Sequence, residues 1–149
     1  MPTRKAKERA SEDAREGKSP STQAGEFVHE EIKHVREGEH GARSAKQAIA
    51  IGLSKARRAG VKIKPPRKGR ASEETREKAR KDVSAGKKAA TKRTSTKRAK
   101  ATLGALKREG RSAASTTALS RQAKKAARAR PASERSAAAK KAARTRKRK

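Results

Sequence analysis

Two stretches near the end of this chain carry nearly the same basic phrase. Ser120-Arg-Gln-Ala-Lys-Lys-Ala-Ala-Arg-Ala-Arg130 returns sixteen residues later as Ser136-Ala-Ala-Ala-Lys-Lys-Ala-Ala-Arg-Thr-Arg146, and a reduced form, Gly86-Lys-Lys-Ala-Ala-Thr-Lys-Arg93, precedes both. Wound as a helix, Arg121, Lys124, Lys125 and Arg128 fall on one face, with Ala123, Ala126 and Ala127 on another. In the second copy Lys140, Lys141, Arg144, Lys147 and Arg148 follow the same rule. Cations at this spacing have one obvious chemistry, the neutralisation of phosphates with release of counterions, and that chemistry reads no base sequence.

The same expectation extends along the basic residues that precede, join and follow the repeats. These are Arg57, Arg58, Lys62, Lys64, Arg67, Lys68, Arg70, Lys87, Lys88, Lys92, Arg93, Lys97, Arg98, Lys100, Arg130, Arg146 and Lys149. Aromatic side chains are the usual stacking platforms for single strands, and Phe27 is the one aromatic residue here. The residues therefore favour a duplex held by its backbone. Pro66-Arg-Lys-Gly-Arg70 resembles an AT-hook, with Lys68-Gly69-Arg70 in place of the Arg-Gly-Arg core and Ala71 in place of proline; the alternative is a basic linker. Leu103, Leu106, Gly110 and Leu119 are spaced to anchor a helix–turn–helix, or else two amphipathic helices that order on a partner.

Other constellations fail on geometry. His29-Glu-Glu-Ile-Lys-His34 is not a zinc-protease motif, because its histidines are five apart and leave the shared face, so Glu30 and Glu31 are expected on a surface helix. Gly17-Lys-Ser19 lacks the first glycine and the preceding strand of a phosphate loop, and Gly38-Glu-His-Gly41 is acidic where a KH loop clamps nucleotides. There is no cysteine. No nucleophile–base pair or carboxylate dyad is apparent, so neither catalysis, a metal nor a cofactor is expected.

What must position the cations is a chain of uneven charge. Residues 1–40 carry 8 Lys/Arg and 9 Asp/Glu, whereas residues 41–149 carry 37 and 6, which places the whole net charge of +30 beyond residue 40. Thirty-one alanines supply most of the hydrophobic count, and only fourteen larger apolar side chains remain, nine of them between residues 27 and 63. Any core is expected there and is small. No apolar run approaches the roughly 20 residues of a membrane span, and the polar start is unlike a secretory signal, so a cytoplasmic protein of the nucleoid is expected.

The local signals predict an all-α fold. A helical hairpin spans roughly 22–37 and 44–59, with further isolated amphipathic helices and largely disordered basic linkers and tail. Ser21 or Thr22 caps the first helix, on which Ala24, Phe27, Val28, Ile32 and Val35 recur at helical spacing, and Gly38 stops it. Ser44 and Gln47 form a capping box, Ala45, Ala48, Ile49, Gly52, Leu53 and Ala56 share a face, and Gly60 supplies the C-terminal stop. Val61 and Ile63 fold back over both helices. The expected organisation is a disordered arm at 1–20, the hairpin domain at 21–64, a basic linker with a short charged helix at 65–86, and the low-complexity tail at 87–149. Like charges four apart oppose helix in the free tail, and polyanion binding lifts that opposition.

STQAGEFVHEEIKHVREGEHGARSAKQAIAIGLSKARRAG, residues 21–60, resembles a family of small basic bacterial proteins without assigned function. The phrases LGALKREGRSAAS, ALSRQAKKAAR and RSAAAKKAART share that likeness, and the tail is similar to that of histone H1-like bacterial proteins. The resemblance implies a DNA-binding or plasmid-stabilisation-like label and brings no catalytic site. The expected activity is largely sequence-non-specific binding of duplex DNA, preferred over RNA. Residues 21–64 would serve a homodimer or a protein partner, and no membrane is involved. Two alternatives stand beside it, an RNA- or ribosome-associated basic protein and a plasmid-maintenance interaction module using residues 21–64.

Overall fold

The computed structural model describes residues 2–87 and 95–147. Seven α-helices follow one another: α1 (Arg4–Arg15), α2 (Pro20–Glu37), α3 (Ala45–Arg58), α4 (Glu73–Lys87), α5 (Thr96–Lys107), α6 (Thr116–Arg128) and α7 (Ala132–Lys147), with a 3-10 turn at Ser112–Ala114 before α6. The described residues contain no strand, so the fold is all-α.

The hairpin is α2 and α3. Ser19, two residues before the expected Ser21, caps α2 by accepting the Thr22 N–H, and Pro20 sits at the first helical position, where its missing donor costs nothing. Gly38 ends the helix in the left-handed conformation at φ +81°. Ser44 caps α3 through the Gln47 N–H, and the Gln47 side chain accepts the amide of Arg43, one residue before the cap. Gly60 closes α3 at φ +96°.

The two helices approach to backbone contact. A Cβ placed on Gly52 would stand 2.7 Å from the Cα of Val28, so only glycine permits this crossing. Alanine continues the same logic. Of the twelve buried apolar residues ten are alanines, and Phe27 and Val35 are the other two. Methyl-sized side chains let helices close to a distance at which few large ones are needed.

The core has two lobes. In the first, Ala6 and Ala10 of α1 meet Ala24, Phe27 and Ala56, covered by Leu53, Val61 and Ile63. Val61 and Ile63 thus fold back as their alternation with Lys62 and Lys64 suggests. In the second, Val35, Ala42 and Ala48 meet Ala113 and Ala114 from the tail, with Ile32 at the edge. Both ends of the chain close on the hairpin, and both corrections to the expected organisation follow.

Residues 4–15 are helix rather than a disordered arm. Thr3 caps α1 and bonds through its hydroxyl to Glu30, which also accepts its N–H, while Arg9 pairs with Glu26 at 3.6 Å. Asp13 and then Glu16 hold the Lys18 amine above the ordinary lysine range in the turn that follows. The acidic first helix of the hairpin is therefore not an open negative surface, since Glu30 and Glu31 are buried. The tail is helical over 96–107, 116–128 and 132–147, against the expectation of disorder, and part of it is anchored. The amides of Gly41 and Ala42 donate to the carbonyls of Leu106 and Gly110, and Arg36 donates to the carbonyl of Ala114.

Gly52 and Gly25 make a paired test. An alanine in a helix ordinarily gains up to about 1 kcal/mol over glycine. At Gly25, where nothing lies within 4 Å, that gain is expected. Gly52→Ala is expected to lose about 1–3 kcal/mol instead, because the Val28 backbone must move. Urea denaturation of the two variants beside the parent protein reads the opposite signs.

Candidate nucleic-acid interface

The elements divide the basic residues into paired and unpaired sets. Up to Lys87, eleven of the twenty-three described guanidinium and ammonium groups have a carboxylate within 4 Å. Arg4 meets Glu8, Lys33 meets Glu37, Arg76 meets Glu73, and Lys78 meets Glu74, whose carboxyl it holds below the usual range. Beyond residue 95 there are two acidic residues, Glu109 and Glu134, and each faces an arginine from outside the tail, Arg43 at 3.6 Å and Arg70 at 2.9 Å. Among the described residues, none of the seventeen Lys/Arg from Lys97 to Lys147 has a carboxylate within 4 Å.

On α6, Arg121, Lys124, Lys125 and Arg128 lie on one exposed side, as their spacing requires, while Ala118, Leu119 and Gln122 are half-buried on another. Thr116, Thr117, Ser120, Arg121 and Lys124 line an open groove of about 410 Å³ along the start of this helix. Hydroxyls and cations thus share one wall, at the end of the helix where the backbone amides are free. Arg130 follows in the turn, and α7 restarts at Ala132 after Pro131. Every described residue of α7 is exposed, Lys140, Lys141, Arg144, Arg146 and Lys147 included. Lys97, Arg98 and Lys100 are exposed on α5.

Several expected contacts sit elsewhere. Arg57 is buried, with its Nε unpartnered, and burial lowers its pKa against the opposing pull of Asp82. It faces α4, where the Arg57 carbonyl leaves no room for a side chain at Gly86. Arg58 donates to Asp82 at 2.7 Å, and Ser54 donates to the other oxygen of that carboxylate at 2.7 Å. Arg58 thus ties α4 to α3 while its side chain stays exposed, and Arg57 is buried between the two helices. Lys62, Lys64, Arg67, Lys68 and Lys87 are exposed. Lys88, Lys92, Arg93, Arg148 and Lys149 lie outside the described residues.

The AT-hook reading meets a different geometry. Residues 67–70 form a tight turn in which the Arg70 amide donates to the Arg67 carbonyl and Gly69 takes φ +82°. The Arg70 side chain is engaged with the Ala129 carbonyl and Glu134. A minor-groove arm needs that segment extended and that arginine free. The helix–turn–helix reading also fails. Its linker, Ser112–Ala114, is a plug in the second lobe of the hairpin core, and the α6 residues pack toward α3, so α5 and α6 form no two-helix unit of their own. Leu103, expected to anchor it, is exposed.

The comparisons address the hairpin alone. Residues 20–68 match a family of unknown function (DUF6496). The matched stretch contains α2, α3 and the returning segment with Val61 and Ile63, so an uncharacterised family is found where the sequence likeness is strongest. It carries no nucleic-acid, histone-like or plasmid label. Neither a curated protein nor a solved structure matches the chain significantly. Among the described residues no helix is long and apolar enough to cross a membrane.

Asp82 is the residue on which the α3–α4 joint turns. Asp82→Ala removes the acceptor for Ser54 and Arg58 and leaves the buried Arg57 without its nearest opposing charge. A loss of about 1–3 kcal/mol is expected from chemical denaturation. Glu74→Ala, on the exposed Lys78 pair of the same helix, is expected to change stability little.

Proposed function

We propose that the protein is a non-enzymatic, largely sequence-non-specific DNA-binding protein that engages duplex phosphates through α5, α6 and α7, in the manner of a nucleoid-associated protein. The observation that carries this reading is the set of seventeen tail cations without carboxylates beside them, whereas eleven of the twenty-three described Lys/Arg up to Lys87 have a carboxylate within 4 Å. Unpaired cations at this density repel one another, and a polyanion is the partner that relieves them. Clustering on α6 of four cations on one side, next to hydroxyl groups, favours a phosphate rail over base edges. The lack of exposed aromatic side chains favours a duplex over single strands.

The tail helices belong to the same proposal. Isolated helices of 13 to 16 residues are marginal in water, and like charges on one face weaken them further. Their helical form is the one that phosphate neutralisation stabilises. Circular dichroism of the full chain at low salt is expected to gain helical signal as duplex DNA is added. A spectrum that stays unchanged would sink the coupling of folding to binding.

The test of the interface itself is a truncation, and the fold decides where to cut. Removal from residue 87 onward would strip Ala113 and Ala114 from the core and confuse unfolding with loss of contact. A stop after Arg130 removes α7 alone, and all of its described residues are exposed. Binding to duplex DNA is measured against salt. The slope of log affinity on log salt is expected to flatten by about 0.9 for each phosphate contact that α7 supplied. A slope unaltered by the truncation would overturn the role of α7. Parallel titration of structured RNA distinguishes the RNA-associated reading, which would require the stronger affinity there.

A further inference from the structure

The buried end of the hairpin holds a group that the basic tail does not use. Glu31 has no solvent exposure, and neither of its carboxylate oxygens accepts a hydrogen bond of good geometry. Lys55 Nζ stands 2.6 Å from Oε2, an ion pair off the line of a hydrogen bond. His40 Nε2 stands 3.4 Å from Oε1.

The tautomer of His40 gives this contact its meaning. Its Nδ1 lies 3.0 Å from the Gly41 carbonyl oxygen. A carbonyl only accepts, so Nδ1 carries the hydrogen, and in the neutral ring Nε2 turns a lone pair toward the carboxylate. Two acceptors then face one another in a buried space, an arrangement relieved by a proton on Nε2 or by a metal ion between them. Lys55 does not fill that place, because its ammonium is on the other oxygen.

His34 supplies a third ligand. One donor atom from each of Glu31, His34 and His40 lies within 4.8 Å of the others. The two imidazoles meet edge to face with centroids 6.2 Å apart, and the Glu39 carboxylate stands 3.6 Å from Nδ1 of His34. The Gly41 carbonyl at Nδ1 of His40 is the kind of partner that orients an imidazole for metal binding through its other nitrogen.

We propose that Glu31, His34 and His40 bind one divalent transition-metal ion of the zinc type. Two imidazoles and one carboxylate suit such an ion, whereas magnesium and calcium seek oxygen on every side. Ligands at about 2.0–2.2 Å from a tetrahedral ion stand about 3.4 Å apart. Glu31 and His40 already have that spacing, so the adjustment falls on His34. Water completes the coordination from the side of His34, whose side chain is 15% exposed. The expectation that these residues form a plain polar surface, without metal, gives way to this proposal. The ion would join α2 to the loop after it, and that loop receives the tail through the amides of Gly41 and Ala42.

The test uses the full chain, purified at high salt and freed of nucleic acid, titrated with zinc chloride and with cobalt chloride. One equivalent is expected to bind, with visible cobalt absorption of a low-coordinate site and a raised melting temperature with zinc. His34→Gln and His40→Gln are each expected to weaken zinc binding at least 100-fold. His29→Gln, exposed on the same helix, is expected to leave it unchanged. Circular dichroism shows whether each variant keeps its helices. If His40→Gln does not fold, His34→Gln decides, since its side chain lies at the rim. Failure of the parent chain to bind one equivalent would overturn the site, and so would equal weakening by His29→Gln. Neither result bears on the phosphate interface.

Discussion

The contact of Gly52 with the Val28 backbone is the constraint on which the fold depends. It brings α2 and α3 so close that the faces beside the crossing must be built from alanine. Those faces are too shallow to be buried by one another alone. Each lobe therefore recruits a second pair of alanines, Ala6 and Ala10 from one end of the chain and Ala113 and Ala114 from the other. A protein with so few large apolar side chains gains its core by shortening distances between helices, so that small groups make many contacts.

Much of this was legible because caps and periodicity act locally. Ser44, Gln47, Gly38 and Gly60 mark the hairpin ends within a residue or two, and the spacing from Ala24 to Val35 marks the inward face. The recruitment of both chain ends was not legible. Alanine in a charged segment looks the same whether it faces a neighbouring helix or water, and the choice is made by partners on other helices, Phe27 for Ala6 and Val35 for Ala113. Glu31 shows the same limit. Beside His29 and Lys33 it reads as surface, and only Lys55 and His40, brought in by the fold, explain its burial.

Of the residues expected to bind phosphate, those of the repeats on α6 and α7 stand exposed as their composition implies, while Arg57 is buried and Arg58 and Arg70 are paired with carboxylates. Their charge is the same, but Asp82 and Glu134 lie within reach of them. A basic residue becomes a contact for a partner only when the fold gives it no carboxylate of its own. That decision is tertiary, and a one-dimensional count of charge passes over it.

The two basic helices differ in a way that bears on valence. On α6 the cations keep to one side because the other side is occupied by the protein body. On α7 Lys140, Lys141, Arg144 and Lys147 share one side, but steps of 100° carry Arg135 and Arg146 to the opposite side, and every described residue is exposed. A one-sided rod saturates against a single polyanion. A rod charged on both sides keeps cations pointing outward after the first strand is bound, and its 16 residues, about 24 Å long, are short enough to lie between two parallel duplexes. Under the proposed phosphate binding, α7 in that geometry would cross-link, with α6 as the anchor that fixes one end of it.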